Sequence, residues 1–287
     1  MQSSYSPTVR RRRLGFELRR LREEHGFTLE AASKESGVPR ATIGKIETAE
    51  SIRTRTRDLD ALADLYEVDR ESRAGLHQLS RESKHKGWWS RYKDVFSDRA
   101  LPDFEGEASA IRTFQAQVIP GLFQTPRYAE EVFRGGRAMD DPSLERRVEA
   151  RITRQGLLSG VGAPHMTAVI DEAALRRVVG SAPIMLEQLE HLEHLALRHN
   201  IDIQVLTFSS GAHLGMAGAF TILDFPEPRD PSIVYVSTAA DGLYLEQPDD
   251  IERYNVAFSN VQGIALSSIP SMRFIAGIKA SIESERE

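Results

Sequence analysis

The stretch Glu35–Ser51, ESGVPRATIGKIETAES, places two helix-breaking residues directly before a helical pattern. Ile43 and Ile46 have the spacing of neighbours on one helix face, yet Gly37 and Pro39 come just before them. Glycine readily takes the left-handed conformation that ends a helix. Proline is tolerated in a first helical turn because its missing N–H would have no intrahelical partner there. The two breakers therefore predict a tight turn between two short helices.

The flanking sequence supplies the helices that this turn connects. Leucines recur with helical spacing upstream and downstream, and Thr28 precedes the first helix of the turn as a candidate N-cap. The apolar positions assigned to the outer helices are Leu14, Leu18, Leu21, Leu59, Leu62, Leu65, Tyr66, Leu76 and Leu79. With Val38, Ile43 and Ile46 on its buried side, the motif predicts a helix-turn-helix inside an all-α N-terminal domain.

Residues 9–67 resemble the DNA-binding domain of the xenobiotic-response-element (phage-repressor-like) regulators. The resemblance is carried by the turn at Gly37 and Val38 and by the following ATIGKIE. The chain departs from the family at Pro39, where Ser or Thr is common, and at Leu29, where many members have a Gln that touches phosphate. The alternative interpretation is a helical bundle that merely contains a Gly-Pro turn.

The resemblance implies which side chains meet DNA, because the second helix of such a motif enters the major groove. It places three residues near base edges, namely Arg40, Ala41 and Lys45. The residues expected at phosphates are Thr28, Thr42, Arg53, Arg55, Arg57, Arg10, Arg11, Arg12 and Arg13. For the run from Arg10 to Arg13, a flexible arm on the DNA and a solvated helix start are both open.

Composition excludes several classes of protein. The chain has 287 residues, 40% hydrophobic and 28% charged, which is enough for about two globular domains. It has no cysteine, so disulfides, thiolate metal sites and cysteine nucleophiles are excluded. No apolar run approaches the roughly 18 residues of a membrane-spanning helix, and the N-terminus lacks the apolar segment of a secretory signal. We expect a cytoplasmic protein, associated with the nucleoid when bound to DNA.

Charge is distributed unevenly along the chain. Its net charge is −5, yet residues 1–57 hold 13 Lys and Arg against 7 Asp and Glu, a local net charge of +6. Residues 87–287 hold 19 against 28, a net charge of −9. This asymmetry indicates that the first segment contacts an anionic partner and that the second serves another purpose.

Beyond residue 86 the sequence alternates between strand and helix patterns, with Asp171 as a candidate N-cap and with Leu186, Leu189, Leu192, Leu195 and Leu197 available for the core. We predict two domains, a helix-turn-helix domain over 1–86 and a mixed α+β effector, dimerisation and partner-binding domain over 87–287. Seven ordered blocks, among them GWWSRY, FQAQVIPGLFQTPRYA and IQVLTFSSGAHLGMAGAFTILDF, resemble the C-terminal domain of actinobacterial helix-turn-helix regulators. Members of that family are described as antitoxin-like regulators, often encoded beside a small protein that they bind.

Several side chains of the second domain are candidates for a partner or ligand site. Trp88 and Trp89 are adjacent at the domain junction, where packing competes with a ligand cage as the interpretation. Arg151 and Arg154 share one helix face and predict either a structural ion pair between Arg154 and Glu107 or an anion or partner site.

Two other patterns raise the question of chemistry. His191, His194 and His199 lie on one helix, which favours a solvated edge over a metal site because the His-Glu-x-x-His pattern is absent. The segment SSGAHLGMAG, which contains His213, predicts a hairpin loop or a binding-site lid rather than a nucleophile elbow. No cofactor is expected.

The pattern as a whole predicts a dimeric, sequence-specific DNA-binding transcriptional regulator, since one such domain reads only a few base pairs. Its second domain would bind a small partner protein or a ligand. The alternative is an antitoxin-like protein that mainly sequesters a neighbour-encoded protein and autoregulates its operon. An enzyme would need a converging catalytic set, and the sequence shows none.

Overall fold

In the computed structural model the chain divides into two units, residues 1–107 and residues 108–287. The described residues are 7–51, 53–84, 91–92, 94–96, 101–136, 140–227, 230–238 and 242–285, with side chains from residue 9 onward. The domain boundary that the sequence places after residue 86 stays a prediction, because residues 85–90 lie outside the described stretches.

The first unit is helical. Its helices are α1 (Pro7–Glu24), α2 (Leu29–Ser36), α3 (Arg40–Glu47), α4 (Thr56–Leu65), α5 (Arg70–Glu82) and α6 (Leu101–Glu105). Helices α1 to α5 confirm the helices predicted from leucine spacing and turn residues. The short α6 was not predicted.

One apolar core connects α1 to α5. Its buried residues are Leu14, Leu18, Ala32, Val38, Ile43, Ile46, Leu59, Leu62, Tyr66 and Leu76. Leu21, Leu65 and Leu79 pack against this core while partly exposed. Burying each large apolar side chain contributes about 1.5–3 kcal/mol, so this stripe is the main source of stability in the unit.

The second unit mixes strands with helices. Its strands are β1 (Ala110–Gln115), β2 (His165–Asp171), β3 (Ile201–Leu206), β4 (Phe220–Asp224), β5 (Ile233–Ser237) and β6 (Gly242–Leu245). Its helices are α7 (Pro126–Gly136), α8 (Asp141–Gln155), α9 (Glu172–Arg176), α10 (Ala182–Leu195), α11 (Pro248–Ile264) and α12 (Ser268–Ser284). An all-α unit followed by a mixed one confirms the predicted fold class.

The strands form one mixed sheet in the order β3-β2-β1-β4-β5-β6. Strands β1, β2 and β3 are parallel, and each crossover between them contains helices, as parallel pairing requires. Strand β4 is antiparallel to β1, and β5 and β6 continue antiparallel. The connection from β3 to β4, residues 207–219, therefore crosses the carboxyl ends of the parallel strands.

Helix α11 packs on one face of this sheet. Phe258 and Val261 belong to the same buried cluster as Phe114, Phe220 and Val234 from three different strands. The Phe258 and Phe220 rings meet edge to face with their centroids 6.5 Å apart. This packing places the last strands and α11 around a single apolar layer.

Two local predictions for the second unit had opposite outcomes. Asp171 caps α9 as predicted, accepting a hydrogen bond from the Ala173 N–H at 2.8 Å. Leu197, expected in the core, is 83% exposed, so that assignment is wrong. The reason is that α10 ends at Leu195. Helical spacing no longer predicts which side chains face the core after the helix has ended.

Candidate nucleic-acid interface

Backbone hydrogen bonds form the corner between α2 and α3. Gly37 has a φ of +71°, in the left-handed region, and its N–H donates to the Ser33 carbonyl at 3.0 Å. The Pro39 carbonyl accepts from the Thr42 and Ile43 N–H groups at 2.8 and 3.1 Å, and α3 begins at the next residue. The turn predicted from Gly37 and Pro39 is therefore confirmed.

Helix α3 separates its side chains by face. Val38, Ile43 and Ile46 are buried in the core of the first unit. The three residues expected at base edges are all exposed, namely Arg40, Ala41 and Lys45. Because Arg40 and Ala41 begin the helix, the exposed face includes the end that enters a major groove in helix-turn-helix proteins.

Arg40 has a partner on the neighbouring helix. Its guanidinium Nε forms an ion pair with a carboxylate oxygen of Glu30, and the two side chains are 62% and 66% exposed. Glu30 is the second residue of α2, and Arg40 is the first of α3, so the pair bridges the two helices of the motif across its outer surface. The contact leaves further N–H donors on the guanidinium, which carries five.

A second ion pair anchors the other end of α3, and it is buried. Arg22 donates to both oxygens of Glu47, at 2.7 and 2.9 Å, and to the Phe27 carbonyl at 2.8 Å. The hydrogen bonds that Arg22 donates to the Glu47 carboxylate raise the pKa of Arg22 above its ordinary value. Such a bidentate pair fixes the last turn of α3 against α1.

Tyr66 packs near this ion pair. Burial, together with the Glu47 charge, raises the pKa of Tyr66 to about 12, so the phenol is neutral at physiological pH. The rings of His25 and Phe27 lie 6.1 and 6.2 Å from the Tyr66 ring. These aromatic rings add to the low-dielectric surroundings in which the Arg22–Glu47 pair is held.

Gly15 allows α1 to approach the end of α3 closely. A Cβ at Gly15 would lie 2.4 Å from the Ile46 carbonyl oxygen and 2.8 Å from that of Glu47. Real side chains do not reach such distances to backbone atoms, so only glycine fits at this crossing. The orientation of α3 on the unit therefore depends on Gly15.

The residues expected at phosphates after the motif are accessible. Arg53, Arg55 and Arg57 are exposed, and the Nε of Arg57 lies 3.1 Å from the neighbouring Asp58. Thr28 is exposed and caps α2, accepting from the Ala31 N–H at 3.1 Å, so its predicted capping role is confirmed. Phosphate contacts by these residues stay a prediction.

The basic run from Arg10 to Arg13 lies within helix α1 rather than in a flexible arm. All four side chains are partly buried. Arg10 forms ion pairs with Glu82 at 3.3 Å and Glu107 at 3.4 Å. The arm interpretation is wrong because the helix extends back to Pro7, and Arg10 is directed at carboxylates of its own unit.

Comparison with known protein families matches residues 98–277 to the family described as Domain of unknown function (DUF5753). This match covers more than half of the chain. The chain belongs to the DUF5753 family. A second match, to the family described as Helix-turn-helix domain, covers residues 13–76, which include the corner and α3. Comparisons with curated proteins and with solved structures gave no match.

The two matched regions assign the chain's architecture as a helix-turn-helix domain followed by a DUF5753 domain. A helix-turn-helix domain indicates a DNA-binding regulator. Across the described stretches, no helix is both long and apolar enough to cross a bilayer.

The arginine candidates of the DUF5753 domain lie on α8. Arg151 donates to the buried Gln124 at 2.6 Å and stacks over the Phe133 ring at 4.3 Å, so these contacts are internal. Arg154 is partly buried on the same helix. The predicted pairing of Arg154 with Glu107 stays a prediction. Trp88 and Trp89 lie outside the described residues.

His213 lies in the loop that crosses the carboxyl ends of the parallel DUF5753 strands. Its side chain is 10% exposed, its Nε2 is 3.9 Å from an Asp171 carboxylate oxygen, and its ring contacts Phe114 edge to face. The Ser209 and Ser210 hydroxyls contact Thr207, at 2.9 and 3.4 Å. The loop contains two 3₁₀ turns rather than a nucleophile elbow.

The histidines of α10 do not form a ligand cluster. Among the described residues, no group of three or more His, Cys, Asp or Glu side chains is placed to hold a metal ion. His191 is half-buried, and this burial, with the nearby His194 charge, lowers its pKa below the ordinary value. His194 is exposed. His199, which was expected on the same helix, is also exposed but lies beyond the last residue of α10, Leu195, so that placement is wrong.

Four residues that position α3 or contact it were missed by sequence reasoning. Gly15 interrupts a leucine-spaced helix, a signal that could have indicated a close backbone approach. Arg22 and Glu47 are 25 positions apart, and no local pattern connects them. Glu30 looks like an ordinary acidic residue in a first helical turn, and only the structure shows that it meets Arg40.

Proposed function

We propose that this DUF5753 protein is a sequence-specific, double-stranded-DNA-binding transcriptional regulator. The observation that carries the proposal is the corner at Gly37–Pro39, which packs one face of α3 into the core and leaves Arg40, Ala41 and Lys45 exposed. A buried face gives the helix a fixed orientation, and an exposed basic face gives it donors that can read bases.

Each exposed residue type suits a particular contact. The Arg40 guanidinium matches the O6 and N7 acceptors of guanine, and the Ala41 methyl group matches the methyl group of thymine. Lys45 lies farther along the same helix and supplies a donor to the groove or its edge. Thr28, Thr42, Arg53, Arg55 and Arg57 suit phosphates, which fix register without reading sequence. From helix α1, we assign phosphate contacts to Arg11, Arg12 and Arg13.

Selection from a randomised duplex pool tests the proposal. The full-length protein should enrich a defined sequence, and footprinting should protect that sequence alone when it is embedded in unrelated DNA. Genome-wide mapping of the bound sites would then identify the regulated genes. Recovery of the pool without any enriched sequence would contradict the proposal.

We propose further that the protein acts as a homodimer on the nucleoid. One helix-turn-helix reads only a few base pairs, and proteins of this kind bind half-sites about 34–36 Å apart, one turn of the duplex. Native mass spectrometry should show two chains per duplex, and the enriched sequence should be a palindrome. One chain bound to an asymmetric site would refute the dimer.

A second candidate function is the antitoxin-like capture of a small protein, with DNA binding serving autoregulation. The observation that favours it is the loop after β3, where Phe208, Leu214 and Met216 are 59%, 53% and 72% exposed. The Leu214 N–H donates to Asn260 of α11 at 3.0 Å, so the loop is held against that helix. Exposed apolar side chains grouped in one loop suit a protein-binding surface.

Co-expression with any short reading frame beside the gene tests this candidate. A bound partner should co-purify in constant stoichiometry with the wild type and be lost from Leu214→Ser, Met216→Ser. The exposed Ile269, in α12, supplies the matched control variant Ile269→Ser, which should retain the partner. Equal retention by both variants would exclude this loop as the docking surface.

A further inference from the structure

The ion pair between Glu30 and Arg40 is the feature of the helix-turn-helix surface that its family likeness does not explain. The carboxylate belongs to the first turn of α2 and the guanidinium to the first turn of α3. Both side chains are mostly exposed, so the pair is weak in water, because the solvent screens the attraction between exposed charges. The pair therefore has little effect on stability, and its main effect is on the charge that the motif presents to DNA.

Glu30 is ionised wherever DNA binding would be measured. Its own backbone N–H and the nearby Arg40 charge lower the pKa of the Glu30 carboxyl below its ordinary value. The first turn of a helix also favours a negative side chain, because unpaired backbone N–H groups point toward it. The surface thus carries a fixed negative charge beside the residue expected to read a base.

The position of this charge matters because the first helix of the motif crosses the DNA backbone while the second enters the groove. A carboxylate in the first turn of α2 is repelled by phosphates, and it neutralises part of the attraction between Arg40 and any DNA. At the same time it holds the Nε side of the guanidinium, and the remaining N–H donors stay available for two parallel bonds to guanine.

We propose that Glu30 is a specificity-determining residue that orients Arg40 toward guanine and disfavours every duplex that lacks guanine at that position. At a matching site, the bidentate contact between Arg40 and guanine offsets the repulsion between Glu30 and phosphate. At a mismatched site the same repulsion remains, and no base contact offsets it. This inference rests on the proposed function, since it assigns Glu30 a part in the reading of DNA.

The test compares Glu30→Gln with Glu35→Gln. Both substitutions remove one negative charge from an exposed position of α2, but Glu35 lies at the opposite end of the helix from Arg40's partner. Binding is measured for the duplex that the wild type selects from a randomised pool and for a shuffled duplex of the same composition. The ratio of the two dissociation constants is the specificity ratio.

The expected result is asymmetric. Glu30→Gln should bind the shuffled duplex more tightly and lower the specificity ratio about tenfold, within the range of one base contact. Glu35→Gln should leave the ratio within about twofold of the wild type, because its charge change acts on all sequences alike. In an Arg40→Ala background, Glu30→Gln should no longer change the ratio, since the residue that it orients is gone.

Each contrary outcome has a distinct meaning. A wild type that selects a sequence while Glu30→Gln keeps the same ratio overturns the role of Glu30 and leaves the proposed function intact. A Glu30→Gln effect that persists in the Arg40→Ala background overturns the orientation of Arg40. A wild type that selects no sequence overturns the proposed function and this inference together. Unchanged far-ultraviolet circular dichroism confirms that the variants are folded.

Discussion

Arg40 combines exposure, positive charge and a place at the start of α3 in one side chain. It contributes nothing to the apolar core, whose members on this helix are Ile43 and Ile46. Its removal should therefore separate recognition from folding, which is the property that makes a residue useful for testing a recognition helix.

Arg40→Ala should lower discrimination between the selected duplex and its single-base variants by about 1–3 kcal/mol, because alanine has no donors for guanine. The melting temperature should stay the same. Quantitative footprinting measures the first effect and calorimetry the second. Arg70→Ala, an exposed position at the start of α5, is the control with the same side-chain change. If Arg40→Ala keeps the base preference of the wild type, Arg40 does not contact the bases.

Gly15→Ala should destabilise the first unit by about 1–3 kcal/mol, since a methyl group would be forced against the backbone of α3. Gly75→Ala is the matched control, because Gly75 lies in α5 with open space around it. That control should gain about 0.5–1 kcal/mol from helix propensity. Chemical denaturation measures the sign of each change in the free energy of unfolding. Equal stability of the two variants would contradict the close approach of α1 to the backbone of α3 at Gly15.

Glu47→Gln should cost about 3 kcal/mol, because it removes the bidentate carboxylate of the buried Arg22 and leaves only the longer contact with Glu23 at 3.3 Å. Glu24→Gln removes the more exposed of the two carboxylates that pair with Arg20 and should cost less than about 1 kcal/mol. Hydrogen exchange should show faster opening of α1 and α3 in Glu47→Gln alone. Similar protection in the two variants would mean that the buried pair does not anchor α3.

At the scale of elements, α10 shows how packing changes the properties of a polar side chain. Helix α10 packs against α12, and its buried face includes Leu189 and Leu192. His191 lies between them in sequence and is half-buried, with His194, Arg198 and Glu187 as its charged neighbours. Protonating His191 is therefore harder in the folded chain than in the unfolded one.

The folded pKa of His191 lies below its unfolded value of 6.5, so the unfolded chain takes up the proton first as the pH falls. The free energy of unfolding should therefore decrease as the pH falls below about 6.5 and level off once the folded pKa is passed. Denaturation at a series of pH values should show a shallower decrease for His191→Gln than for the wild type. An unchanged pH dependence in His191→Gln would mean that His191 does not cause the decrease.

At the scale of the whole molecule, the N-terminal residues 1–57 and the C-terminal residues 87–287 carry net charges of opposite sign. Residues 1–57 have a net charge of +6 although the chain as a whole has −5. DNA affinity should therefore fall steeply with salt concentration in spite of the overall negative charge, because the local positive surface releases counterions from phosphates.

Arg53→Gln, Arg55→Gln should reduce the slope of log K against log salt by about two, roughly one for each arginine that no longer neutralises a phosphate. Base preference should stay the same, since phosphate contacts carry no sequence information. Titrations at several salt concentrations provide the measurement. An unchanged slope in the double variant would place these arginines away from the duplex.

The sequence by itself determined the features that depend on neighbours along the chain. The cap at Thr28, the left-handed turn at Gly37 and the cap at Asp171 follow from residue type, because each involves hydrogen bonds that span only a few positions. Helix and strand periodicities predicted the fold class for the same reason. These features reflect local conformational preferences, so they could be predicted without knowing which distant residues they contact.

Only the tertiary structure decided the features that join distant residues. The Gly15 crossing, the Arg22–Glu47 pair and the placement of Glu30 beside Arg40 depend on how helices approach one another. The order of the strands and the exposure of Leu197 likewise depend on where the chain turns. All these features have the same physical reason. They depend on contacts between segments that are distant in sequence, and packing in three dimensions sets the relative positions of those segments. A local sequence pattern contains no information about such contacts.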